Sequence, residues 1–117
     1  GNSKTVRNSN SSRFGKYVRL YLDGMCSIKG AKIESYLLEK SRVVNVSKNE
    51  RNFHVFYCLQ SHPTRMEYGL TANEKYAYLE QSGCHTAEGI DDKENFILVD
   101  ESLRAVGFTK DEVRRIW

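Results

Sequence analysis

Apolar and polar residues alternate strictly from Phe14 to Leu22, with Val18, Leu20 and Leu22 on one side and Tyr17, Arg19 and Tyr21 on the other. A period of two is the pattern of a strand with two distinct faces. Asp23-Gly24 follows at once and supplies turn geometry. The next run, Ile28 to Leu38, carries Ile33, Tyr36, Leu37 and Leu38, so it is expected to return antiparallel beside the first strand, with a bulge at Gly30. A two-stranded ribbon is marginal by itself, so the pair is expected to belong to a larger sheet.

From Ser47 the period lengthens. Ser47 followed by Glu50 has the form of a capping box, and Phe53, Phe56 and Tyr57 make one helical stripe that reads as core. Pro63 ends that helix, and Thr71 with Glu74 predicts a further short helix anchored by Tyr76 to Leu79. Asp91-Asp92 opens another helix, its acids complementing the helix dipole, with Phe96, Val99, Leu103 and Val106 on one face. Gly107 stops it, and Thr109 with Glu112 caps a last helix carrying Val113 and Ile116. That helix has a start signal but no stop before Trp117, and Gly1 stands where an initiator methionine would, so the sequence reads as an internal piece of a longer one. The pattern as a whole predicts an α/β fold, a strand pair followed by several helices.

Composition narrows the classes. With 117 residues, 39% apolar and 28% charged, the chain fits one domain or part of one. No stretch approaches the roughly eighteen apolar residues of a membrane span, and no signal peptide pattern is present, so neither a span nor secretion is expected. Cys26, Cys58 and Cys84 lack C-x-x-C spacing and read as reduced thiols of a cytoplasmic protein. Cys84-His85 stands apart from other ligands and does not form a zinc motif. Lys4, Arg7, Arg13, Lys16 and Arg19 make the first 22 residues +5 in a chain of net charge +3. A basic segment suits phosphates. Its charge is no larger than a nucleotide pocket uses, so no nucleic acid partner is expected.

The candidate chemistry lies in Asn8 to Lys16, NSNSSRFGK. A serine hydroxyl is a neutral oxygen ligand of the kind Mg²⁺ accepts. A neighbouring serine can hold a water, and an arginine can latch a carboxylate with two hydrogen bonds. Asn and Ser also fill ordinary surface loops. Elsewhere, His54 reads as a packed or surface histidine, Glu39, Lys40 and Arg42 as structural ion pairs, and Lys4 and Arg7 as a solvated basic face.

Asn8, Asn10, Ser11, Ser12, Arg13, Phe14, Gly15 and Lys16 match, without a departure, the motif N-x-N-S-S-R-F-G-K. The segment resembles switch I of the myosin motor domain. Gly1 to Arg7, Tyr36 to Val43 (YLLEKSRV), Glu50 to Tyr57 (ERNFHVFY), Ile90 to Asp92 and Val106 to Thr109 (VGFT) resemble further stretches of that family in the same order. In kinesin motors the arginine is followed by Ser-His, whereas Phe14-Gly15-Lys16 follows here.

The resemblance implies a piece of a P-loop NTPase motor fold with a mixed central sheet. Residues 1–16 would be the switch I segment, 14–38 the transducer strand pair, and 47–117 a helical upper-50 kDa portion. It further implies ATP and Mg²⁺ as cofactors of a parent ATP hydrolase. Asn8 would bond the nucleotide phosphates, with Asn10 also on the nucleotide-binding loop. Ser12 would ligate Mg²⁺. Ser11 would position the attacking water or pass its proton toward the γ-phosphate, and Arg13 would pair with a switch II glutamate. Phe14, Gly15 and Lys16 would support the loop. Partners would be actin filaments and, at the neck, light chains or calmodulin, in the cytoplasm and on the cytoskeleton. The alternatives are a nucleotide-binding pseudo-motor or scaffold, and a free-standing small binding domain.

The Gly-rich P-loop and the D-L-x-G-F-E of switch II do not occur among these residues, so the chain alone is expected not to hydrolyse ATP. The isolated 117 residues should be only partly folded and give no MgATP turnover. Calorimetry and a phosphate-release assay check this, and a sharp unfolding transition from a monomer would count against it.

Overall fold

In the computed structural model, which describes residues 1–71 and 74–117, two antiparallel pairs of strands precede four helices. Strand β1 (Asn2–Ser3) pairs with β2 (Ser11–Ser12), in register Asn2 to Ser12 and Ser3 to Ser11, and closes the polar loop between them. Strands β3 (Gly15–Leu22) and β4 (Ile28–Tyr36) form a hairpin, as the alternation predicts. Its turn is held by Asp23, whose Oδ1 accepts the N–H groups of Met25 and Ser27 at 2.9 Å. The left-handed position falls on Cys26, with φ 61°, rather than on Gly24.

The bulge lies one residue from its expected place. Tyr21 pairs with Gly30 and Leu22 with Ile28, so Lys29 is the extra residue and its Nζ reaches Asp23 at 3.2 Å. The strand also ends short of Leu38, because Leu37 takes a left-handed φ of 56°. Opposite residues share a face, so Val18, Leu20 and Leu22 lie with Ile33, Ala31 and Ile28. That apolar face is open: Val18 is 45% exposed and Ile33 62%. The other face carries Tyr17, Arg19, Lys32 and Glu34, with a Lys32–Glu34 ion pair at 2.8 Å. The radius of gyration, 16.7 Å, exceeds the ~13 Å of a compact chain of this length, as a projecting hairpin requires.

The capping box expected at Ser47 does not form. Glu50 gives its carboxylate to Arg42 and to the N–H of Val6 instead. Ser47 to Glu50 is a turn with Asn49 left-handed, and the chain then runs extended, Arg51 N–H donating to Lys4 and Phe53 bridging Ser3. Helix α1 (His54–Ser61) therefore starts later, with Phe53 as its cap, and stops before Pro63. The expected start at Thr71 runs through Ala72 and Asn73, outside the described residues. Helix α2 is Ala77–Glu80, and of its anchors Leu79 is buried while Tyr78 is exposed.

Helix α3 (Asp92–Ala105) is capped by Asp91, whose Oδ1 accepts the Glu94 N–H at 2.9 Å. Its end carries the paired bonds of a glycine stop: Gly107 donates to Arg104 and Phe108 to Leu103, with Gly107 at φ 101°. Only Phe96 of its apolar face is fully buried, and Val99 and Val106 remain exposed. Helix α4 (Lys110–Ile116) has the complete Thr109–Glu112 capping box. No helix among the described residues is long and apolar enough to cross a membrane.

The helices meet around a buried cation. Arg51, with no exposed surface, pairs both oxygens of Asp92 at 2.5 and 3.0 Å, donates to the His85 carbonyl and to His54 Nδ1, and lies 4.1 Å over the Tyr57 ring. Beside it the fully buried Asn52 donates to the carbonyls of Val43 and Tyr78 and accepts the Phe53 N–H. Phe96 stacks between His62 at 3.8 Å and Trp117 at 4.3 Å, and Val113 is also in the core. Removing one partner of a buried ion pair strands the other charge. Arg51→Ala is therefore expected to cost about 3–5 kcal/mol, and Arg51→Met with Asp92→Leu to recover most of it. The urea midpoint of unfolding of the full-length protein checks both.

Candidate functional site: a polar loop on a charged base

The loop between β1 and β2 is organised by its own side chains. Thr5 and Asn8 hold a turn, Thr5 N–H donating to the Asn8 carbonyl at 2.8 Å and Asn8 N–H to Thr5 Oγ1 at 3.1 Å. Asn8 Oδ1 accepts the Asn10 N–H at 2.8 Å, the side-chain turn for which Asn is favoured. Among the described residues this leaves the Asn8 amide N–H groups free to donate. Asn10 Oδ1 accepts from Asn2 at 3.0 Å, so Asn10 fastens the loop to β1. The outer loop, from Lys4 to Ser9, faces Thr86, Ala87 and Glu88 across an open cleft of ≈ 650 Å³. Lys4 and Arg7 thus border a cleft, and Lys4 Nζ also donates to Cys84 Sγ at 2.9 Å.

Of the expected site residues, Asn8 lines this cleft, whereas Ser11, Ser12 and Arg13 lie at the loop's return into β2 and beyond. Ser12 Oγ donates its proton to the Phe14 carbonyl at 3.2 Å. Its lone pairs remain available, which fits the neutral oxygen donor that Mg²⁺ takes. No cluster of three His, Cys, Asp or Glu side chains stands ready for a metal among the described residues. Mg²⁺ commonly keeps waters and substrate phosphates as its other ligands, so one hydroxyl is compatible with it. Ser11 Oγ accepts from Arg13 Nη1 at 3.3 Å, and its own O–H is therefore left to donate.

Arg13 is held from within the chain. Its Nε and Nη2 donate to Glu39 at 2.8 and 3.1 Å, a side-on bidentate pair, and the Glu39 N–H donates to the Arg13 carbonyl at 3.0 Å. Glu39 also accepts from Arg42 Nε at 2.6 Å, and Arg42 reaches Glu50 at 3.0 Å. The pairs expected of Glu39 and Arg42 are present, but Lys40, exposed to solvent, joins none among the described residues. The Arg13 guanidinium, helped by Arg42, holds the Glu39 carboxyl down at about 2.

Phe14 covers Gly1, and Gly15 lies under Tyr36, where a Cβ would come within 2.5 Å of the ring. Gly15 therefore permits the close approach that seats the loop on the hairpin. Lys16 pairs with Ser35 across the strands and is exposed. Asp91 and Asp92 are a helix cap and the Arg51 partner. His54 is packed, with Nε2 buried and unpartnered among the described residues. Sequence reasoning missed the bond between Arg13 and Glu39 and the burial of Arg51. Both ion pairs are long-range and leave no periodicity, although Glu39 and Arg51 each sit inside a stretch that resembled the family.

The family model for the myosin head (motor domain) matches residues 1–117. The myosin ID heavy chain of Dictyostelium discoideum is 43% identical over 120 residues, covering all of this chain and 11% of that protein. Myosin-3 of Arabidopsis thaliana is 43% identical, with all of this chain and 10% of the relative covered. Unconventional myosin heavy chain 6 of Caenorhabditis elegans is 45% identical, with all of this chain and 6% of the relative covered. The chain belongs to the myosin head family, and it spans about a tenth or less of the length of these relatives.

The titrations separate the buried His54 region from the half-buried Glu39 group. Glu39 favours its ionised form, so its contribution is complete above the ordinary carboxyl value of 4.5 and is lost as pH falls toward about 2. Burial first, and then Arg51, lowers His54 from 6.5 to about 4, against the opposing pull of Asp92. Stability linked to His54 is thus lost as pH falls from 6.5 to about 4. In the full-length protein, His54→Asn is expected to flatten the melting temperature between those values, whereas Glu39→Gln leaves the slope above 4.5 unchanged. Melting curves across the window read both.

Proposed function

We propose that residues 8–16 are the switch I loop of an actin-based motor ATPase, acting in a parent protein that hydrolyses MgATP. The observation that carries this reading is the unbroken match of Asn8 to Lys16 to the switch motif in a chain matched to the myosin head over its whole length. The free hydrogen-bonding groups of the loop support it. In phosphoryl transfer, positioning and electrostatics do most of the catalysis. Asn8 donates its amide N–H groups to phosphate oxygens, and Ser12 offers a lone pair to Mg²⁺. Ser11 uses its free O–H to hold the attacking water or relay its proton. Arg13 presents a fork to a switch II carboxylate outside these residues. When bound, Mg²⁺ neutralises charge on the phosphate oxygens. A loop held by such contacts orders with γ-phosphate and relaxes after hydrolysis.

The parent would supply the P-loop, switch II, the actin-binding surfaces and a neck for light chains or calmodulin, and would work in the cytoplasm on the cytoskeleton. The open apolar face of β3 and β4 supports membership of a larger mixed central sheet in a P-loop NTPase fold, since two strands rarely stand alone. The same face argues against a free-standing binding domain. The intact Ser11, Ser12 and Arg13 argue against a pseudo-motor.

Two measurements test the reading. The coding sequence on either side should encode a P-loop before and a switch II after these residues, and absence of both sinks it. In the full-length protein, Arg13→Ala should lower ATP turnover by about 100-fold or more while leaving nucleotide binding within a few-fold. Normal turnover in that variant would refute the latch role.

A further inference from the structure

Arg13 has five N–H donors, and the structure shows where three of them go. Nε and one N–H of Nη2 are given to Glu39, and one N–H of Nη1 to Ser11. Among the described residues one N–H remains on each of Nη1 and Nη2, and the end-on fork between these two nitrogens is the edge that Glu39 leaves open. A carboxylate that approaches Arg13 later therefore need not displace Glu39. It meets a guanidinium already held by its side edge.

The holder is itself restrained. Glu39 grips Arg13 twice, carboxylate to guanidinium and N–H to carbonyl, so the two residues cannot slide past each other. Its carboxylate is tied to Arg42, whose side chain is 5% exposed, and Arg42 is tied to Glu50. Glu50 Oε1 accepts the Val6 N–H at 3.3 Å, on the opposite limb of the polar loop. The chain Arg13–Glu39–Arg42–Glu50–Val6 thus ties both limbs of the loop to a single charged base. Leu37, two residues before Glu39, holds a left-handed φ of 56° that bulky residues seldom adopt. Strain of that kind persists where surrounding contacts over-determine the backbone.

We propose that Glu39 is a positioning residue for the ATPase reaction, fixing the side edge of Arg13 so that its end-on fork is aimed at the incoming carboxylate. The proposal rests on the reading of residues 8–16 as switch I. The stretch around Glu39 then has a task beyond holding the end of a strand: it sets the aim of the latch before the pocket closes.

The test uses the full-length motor with MgATP, each rate normalised to the folded fraction by active-site titration. Glu39→Gln, which keeps the side chain's size and one acceptor oxygen, is expected to lower kcat by about 10- to 100-fold with KM changed less than about threefold. Glu39→Asp should restore part of the loss. In the Arg13→Ala background, Glu39→Gln should add no further loss, because the group it aims is already gone. A purely structural role predicts a lower melting temperature with normal kcat per folded motor, and losses that multiply in the double variant. Either of those results overturns the proposal. Impaired Arg13→Ala beside unimpaired Glu39→Gln overturns this proposal alone, whereas normal turnover by Arg13→Ala overturns the latch role and this proposal together.

Discussion

The helical part of this chain depends on one buried guanidinium. Arg51 takes a carboxylate from the start of α3, a carbonyl from the segment before it, the imidazole at the start of α1 and the face of Tyr57 within α1. Burying a cation is expensive unless nearly every donor finds a partner, and here the partners come from separate stretches of chain. The α1 and α3 segments can therefore assemble in few other ways. The residues flanking Arg51 extend the constraint to the loop, since its own N–H reaches Lys4 and Phe53 bridges Ser3. The polar loop rests on a floor whose position the buried pair sets.

A second group of charges lies where the loop meets the hairpin. There the ions are half-buried rather than sealed, and their geometry does more for orientation than for stability. Arg42 is the exception, buried between two carboxylates and joining Glu39 to Glu50. The polar loop has a fastened base and an open outer face: Asn10, Glu39 and Glu50 anchor the base, while among the described residues Asn8, Ser11 and Ser12 retain free donors or lone pairs. The hairpin leads away from that base with one apolar face uncovered.

Local chemistry was legible where the decisive contacts lie within a few residues. The β3 alternation, the Asp91 and Thr109 caps and the Gly107 stop all appear as read, because each rests on bonds across three to five positions. The capping box at Ser47 failed for the same reason in reverse. Glu50 had two partners, Arg42 and the Val6 N–H, that a local pattern does not contain, and they outcompeted the Ser47 N–H. The bulge moved from Gly30 to Lys29, whose side chain reaches back to Asp23.

The sequence by itself determined the family and the strand-then-helix order, since motif and periodicity are properties of neighbours along the chain. It showed Ser11, Ser12 and Arg13 side by side but not what each would touch. Tertiary structure alone decided that Arg13 lies on Glu39, that Arg51 is buried against Asp92, and that His54 is packed and held neutral. Those outcomes are set by burial and by competition among charges distant in sequence, whose energies exist only once the chain has folded.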